Sequence, residues 1–224
     1  MRLWLRNNSL SLFFLVLFLV TVFAQSLAGH RVHNEEQVEH GSPTISYVRY
    51  LVSSDFGEAV TENWQSEFLQ FTLFILATVW LVQRGSNESK KPEDMGVESD
   101  QRQLIGPHAQ HNSPSWAKVG GLRTWIYSNS LVLLMSTIFF ASWFAQSVTG
   151  WTKYNGDLRD HDASAVSWMG YVMRPDFWED TLQNWQSEFL AVGTMAVFTI
   201  YLRQRGSPES KPVGAPHDET ASSG

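Results

Sequence analysis

The chain has 224 residues, a net charge of −6 and no cysteine, which removes disulfides, thiol nucleophiles and iron–sulfur ligation from consideration. Its 16 Lys and Arg form no basic stripe, which argues against a nucleic-acid partner. The apolar residues are gathered into blocks, so lipid is the expected solvent for about a third of the chain.

Leu10 to Ala28 is the first block, about 19 residues at ~1.5 Å each, enough to cover the ~30 Å hydrocarbon core of a bilayer. Arg2 and Arg6 before it and "SLAG" after it raise the possibility of a signal peptide, but the stretch exceeds the ~7 to 15 residues of such an apolar region. A span that stays in the protein is expected. The following loop carries Glu36-x-x-Glu39-His40, acidic and imidazole groups spaced to share a helical face.

Asp55-Phe56-Gly57-Glu58 has capping-box spacing, so a second long helix is expected to start there and end at Arg84, with Gly85 as its left-handed cap. This helix would hold about 29 residues, or ~43 Å. It includes "NWQSEFL", Asn63 to Leu69, immediately before the apolar run Phe68 to Val82. Matching to bilayer thickness places Glu67 at the outer edge of the lipid.

From Gly85 to Gly121 the chain is polar and broken by Pro92, Pro107 and Pro114, which predicts a cytoplasmic linker. Leu131 to Thr149 then forms a third block. Asp176-Phe177-Trp178-Glu179 repeats the capping spacing, "NWQSEFL" recurs at Asn184 to Leu190, and Phe189 to Leu202 closes the set. An offset of 121 aligns Trp4 to Lys90 with Trp125 to Lys211 without a gap, and about 34 of the 87 positions are identical. The second half is a copy of the first.

Each copy holds two spans and so returns to the side from which it entered. The expected fold is all-α and membrane-embedded, with four transmembrane helices in two tandem hairpins of the same orientation. The expected divisions are 1–86 and 122–207 for the repeats, 87–121 for the linker and 208–224 for a tail. Eleven Lys and Arg lie on one side of these spans and five on the other, which puts both termini in the cytoplasm.

Three chemistries are open to this pattern. A carboxylate partly withdrawn from water is a proton or cation site, and Glu67 and Glu188, with Asn63, Asn184, Gln25 and Gln146 at similar depth, are its candidate members. The bland alternative is an ionised interface residue in each copy that orients its helix. Trp64 and Trp185 are expected to anchor at the interface. In the outer loops, Glu36, Glu39 and His40 with Asp157, Asp160 and His161 are candidate metal ligands, weakened because His30 and His33 become Trp151 and Tyr154 in the second copy. No histidine lies in a span, so intramembrane bis-histidine haem is excluded, and no phosphate loop or nucleophile elbow is present. No cofactor is expected.

The doubled "NWQSEFL", the "VHNEEQVEHG" after the first span and the "QRGSPESKPVGAPHDE" tail resemble an uncharacterised family of small bacterial integral-membrane proteins. The resemblance implies an inner-membrane location and brings no activity, cofactor or catalytic residue. The leading expectation is a non-enzymatic membrane protein with a structural, partner-binding or envelope role, its partners being the bilayer and a second copy or another membrane protein. A small proton- or ion-coupled transporter using Glu67 and Glu188 is the alternative, and an outer-loop metalloenzyme comes third.

Overall fold

The computed structural model describes residues 2–221, and every regular element among them is helical. In chain order the α-helices are α1 (Arg2–Asn7), α2 (Ser9–Glu39), α3 (Tyr47–Leu51), α4 (Ser54–Trp80), α5 (Ser115–Lys118), α6 (Gly121–Ser128), α7 (Ser130–Asp160), α8 (Trp168–Val172) and α9 (Pro175–Tyr201). Short 3-10 turns at Pro92–Asp94 and Gly106–His108 interrupt the stretch between the copies.

Helices α2 and α7 are long and apolar enough to cross a membrane, and among the described residues no other helix meets both conditions. Apolar side chains surround α2 on all sides, so no single stripe faces a core. Only 6 % of its most apolar window is buried within the chain, against 22 % for α7. Helices α4 and α9 contain 27 residues each, about 40 Å, but the polar NWQSE turn dilutes them.

Both second helices differ from expectation at their ends. The Ser53 hydroxyl accepts from Phe56 N–H at 3.3 Å, so the start of α4 is capped by Ser53 and Asp55 is released for other contacts. Pro175 opens α9, where its missing N–H is no loss, and Asp176 accepts from Arg174 Nε at 3.0 Å. Both helices stop at Trp80 and Tyr201, four residues short of the expected arginines. The cause lies downstream: Ser89 Oγ accepts from Gln83 N–H at 2.8 Å and Ser210 Oγ from Gln204 N–H at 2.9 Å, pulling each chain out of the helix. Gly85 and Gly206 do adopt left-handed φ, +87° and +83°, but in the turn that follows.

The chain divides into two compact units. One comprises Met1–Val60 and Ala145–Met173. Here α2 and α7 each run into an extended segment that returns against its own helix. Asn34 Nδ2 donates to Ile45 O at 3.1 Å while its Oδ1 accepts from Ile45 N–H at 2.8 Å; Asn155 holds Val166 in the same way at 3.0 and 2.8 Å. These side-chain amides replace a strand partner for the returning backbone. Ser46 and Ser167 then cap α3 and α8, whose Tyr50 and Tyr171 are buried over Gly29 and Gly150. A Cβ at either glycine would collide with the tyrosine hydroxyl.

The other unit comprises Thr61–Phe144 and Arg174–Gly224. Aromatic side chains Phe139, Trp143, Phe177 and Trp185 pack with neighbouring ring centroids 5.7–6.4 Å apart. At the helix C-termini the two "QRGS" turns join. Ser86 Oγ contacts Thr199 Oγ1 at 3.1 Å, Asn87 Nδ2 donates to Pro208 O at 3.0 Å, and Gly85 N–H donates to Thr220 Oγ1 at 2.8 Å. Lys211, 1 % exposed, lies within 2.7–3.1 Å of the carbonyls of Gly85, Pro216, His217 and Glu219. Four carbonyl dipoles replace the hydration that its ammonium has lost.

Candidate functional site

On α4 the buried face runs through Gln65, Ser66, Leu69 and Thr72 at helical i, i+3 and i+4 spacing. Facing it in the same unit, α9 presents Asn184 and Trp185, one helical turn beyond Thr181, and Glu188 a turn further on. Three contacts join the two copies of the motif. Asn184 Nδ2 donates to Glu62 Oε1 at 2.6 Å, Trp185 Nε1 donates to Gln65 Oε1 at 2.7 Å, and the Glu67 and Glu188 carboxyl groups lie close enough for each to feel the other.

The structure therefore brings Glu67 and Glu188 together. Not every member of the expected set lies on that face. Asn63 is exposed, off the buried face that Gln65 and Ser66 occupy. Asn184 is on the contact face and bonds to Glu62, which spacing alone did not single out. Gln25 and Gln146 belong to the other compact unit, where Gln25 is exposed and Gln146 is buried. Trp185 is half-buried and hydrogen-bonded rather than a simple anchor, whereas Trp64 is 41 % exposed. Identical sequences thus make unlike contacts: Trp185 reaches Gln65, and Gln186 is exposed.

Two carboxyl groups set this close are a place where a proton or cation is favoured, since two ionised carboxylates repel. A second such pair lies beyond the helix ends, where Glu88 meets Glu209. Burial, reinforced by the charge of Glu209 and by the bond to it, pushes the Glu88 carboxyl above the usual carboxylate range. A cleft of about 260 Å³ reaches this pair, walled by Phe71, Phe74, Val192 and Met195.

The outer-loop residues are less convergent. His40 and His161 lie with ring centroids 6.2 Å apart, and His161 Nδ1 is already bonded to Asp157 O at 2.8 Å. Glu36, Glu39, Asp157 and Asp160 are exposed, and among the described residues no group of three or more His, Cys, Asp or Glu is arranged to hold a metal. His30 has another job. Its Nε2 contacts Ile45 O at 2.8 Å, the position that Trp151 Nε1 takes on Val166 O at 2.8 Å in the second copy. Imidazole and indole each present a ring N–H, which explains the exchange of His for Trp. His33 binds Asp55 at 2.6 Å and Lys153 binds Glu58 at 2.9 Å, two pairs that sequence spacing did not reveal.

The class defined by these features is a protein that is all-helical among its described residues, with two helices there of membrane-crossing length and composition, carrying two carboxyl groups brought together from two occurrences of one motif. The chain belongs to the family described as a domain of unknown function, DUF6766, whose profile matches residues 1–222. No curated protein and no solved structure matches it.

Proposed function

We propose that this is a four-span protein of the bacterial inner membrane that takes up and passes protons, or a small monovalent cation, at Glu67 and Glu188. The observation that carries the reading is the contact between those two carboxyl groups. Ionisable groups set against lipid are expensive and are kept where they bind or move charge.

In this reading α2, α4, α7 and α9 are the spans, arranged as two tandem hairpins of like orientation with both termini in the cytoplasm. Support comes from the low burial of α2, the excess of basic residues on one side, and the hydrogen bonds repeated at an offset of 121 residues. The bilayer supplies the apolar solvent that the exposed α2 surface requires, and a second copy can cover part of it.

Reconstitution in liposomes tests the proposal. With an internal pH dye and an imposed gradient, the parent chain should carry proton flux that Glu67→Gln with Glu188→Gln lowers by roughly tenfold or more, at unchanged helical content. Parent flux no greater than that of empty liposomes, or a double variant as active as the parent, would reject it. A stable crosslinked partner in native membranes together with absent flux would favour a structural or partner-binding role.

A further inference from the structure

Beside the carboxyl pair lies a group of buried polar atoms that its chemistry does not use. Gln65 and Thr181 are both fully buried, yet Gln65 Nε2 and Thr181 Oγ1 have no hydrogen-bond partner, and neither does the buried Trp143 Nε1. All three lie around one indole. Gln65 Oε1 accepts from Trp185 Nε1 at 2.7 Å, Thr181 is one helical turn before Trp185, and the Trp143 ring is 5.8 Å from the Trp185 ring.

These atoms cannot easily satisfy themselves. The bond from Trp185 fixes the Gln65 amide, because a flip would set its NH₂ against the indole N–H. Thr72, Thr78, Thr149 and Thr152 each return their hydroxyl to the carbonyl four residues back, at 2.8–2.9 Å. Thr181 makes no such bond, so its hydroxyl is held off its own helix. A buried group without a partner forfeits the hydration it had in the unfolded chain, at a cost to stability. The sequence repeat supplies the comparison: Val60 occupies the position equivalent to Thr181, and Val22 that of Trp143. Valine nearly matches threonine in shape without incurring that cost.

We infer that Gln65, Thr181 and Trp143 hold an ordered water molecule within the protein. Water accepts from the amide and the indole and donates to the hydroxyl, three partners of the number a buried water takes. The indole that the site surrounds is one turn from Glu188, and its role follows if Glu67 and Glu188 handle protons: it hydrates the outer approach to the carboxyl pair. That role rests on the function proposed above, whereas the site itself does not.

Two measurements separate them. A structure of the full chain near 2 Å, from crystals grown in lipid, should show density about 2.8–3.2 Å from both Gln65 Nε2 and Thr181 Oγ1, lost or displaced in Thr181→Val. A dry contact, or a direct bond between the two side chains, overturns the site. In liposomes, Thr181→Val and Gln65→Leu should each lower proton flux by about threefold or more. Unchanged flux in both, with Glu67→Gln and Glu188→Gln still impaired, overturns the role alone; absence of flux in the parent overturns the role together with the proposed function, and leaves the density to decide the site.

Discussion

Replacing Asn155 with Ala should loosen the segment between α7 and α8. Asn155 is 8 % exposed, and its amide makes two bonds to Val166, accepting from the N–H at 2.8 Å and donating to the carbonyl at 3.0 Å. The carbonyl keeps a second donor in Trp151 Nε1, so its loss is small, about 0.5 kcal/mol. The Val166 N–H has no such reserve and is only half-exposed, which sets its loss nearer 1.5 kcal/mol. The sum, about 2 kcal/mol, corresponds to a fall in Tm of about 4–8 °C for a chain of this size. Thermal unfolding in mild detergent, followed by far-ultraviolet circular dichroism, reads it. Asn34→Ala, which removes the matching pair of bonds to Ile45 while His30 still covers the carbonyl, should fall by a similar amount. A shift under 1 °C in both variants would refute the view that these amides hold the returning segments.

Lys211→Met should leave the inward-facing carbonyls of Gly85, His217 and Glu219 without a donor, Pro216 O keeping only the Glu219 N–H at 3.3 Å, so the C-terminal turn opens and limited proteolysis cuts beyond Gly206 several-fold faster; an unchanged cleavage rate would refute the role of the ammonium as the clasp. Glu88→Gln addresses pH. Because folding raises the Glu88 carboxyl above its ordinary range, the folded chain holds more protons there than the unfolded one, and stability falls as pH rises from about 4.3 through the folded value. The variant should flatten that part of the Tm–pH curve and be the more stable protein at neutral pH. Gly150→Ala puts a methyl group against the buried Tyr171 hydroxyl and should lower Tm by several degrees, whereas Gly156→Ala, with open space around it, should not.

How far the sequence could be read depended on whether the deciding contacts were local. Helices α2 and α7 were legible because an uninterrupted apolar run needs no partner to identify it. The C-termini of α4 and α9 were not, since serines six residues past Gln83 and Gln204 set them, and glycine placement alone pointed four residues too far. The pairing of His30 with Trp151 shows the same limit from the other side: a change from imidazole to indole reads as the loss of a metal ligand until the shared ring N–H and the shared backbone carbonyl are seen. Glu67 and Glu188 stand out in the sequence because one motif occurs twice.

Repetition, however, misleads about what each copy does with its residues. Symmetry alone would have two identical motifs on two helices exchange equal contacts, but a glutamine and a tryptophan that face each other can share one N–H···O bond without the reverse bond forming. Trp185 takes Gln65, and the reciprocal residues Trp64 and Gln186 are left at the surface. The asymmetry creates a buried side and an outer side from a symmetric sequence, and it is on the buried side that the departures from repetition, Thr181 for Val60 and Trp143 for Val22, bring in polar atoms. The recurring motif supplies both carboxyls, while the residues that differ around it place polarity beside one indole only. A variant that restores the symmetry, Thr181→Val, should therefore keep the fold and test the divergence directly: Tm unchanged or higher with flux reduced would assign the hydroxyl to function, and a large loss of Tm would assign it to packing.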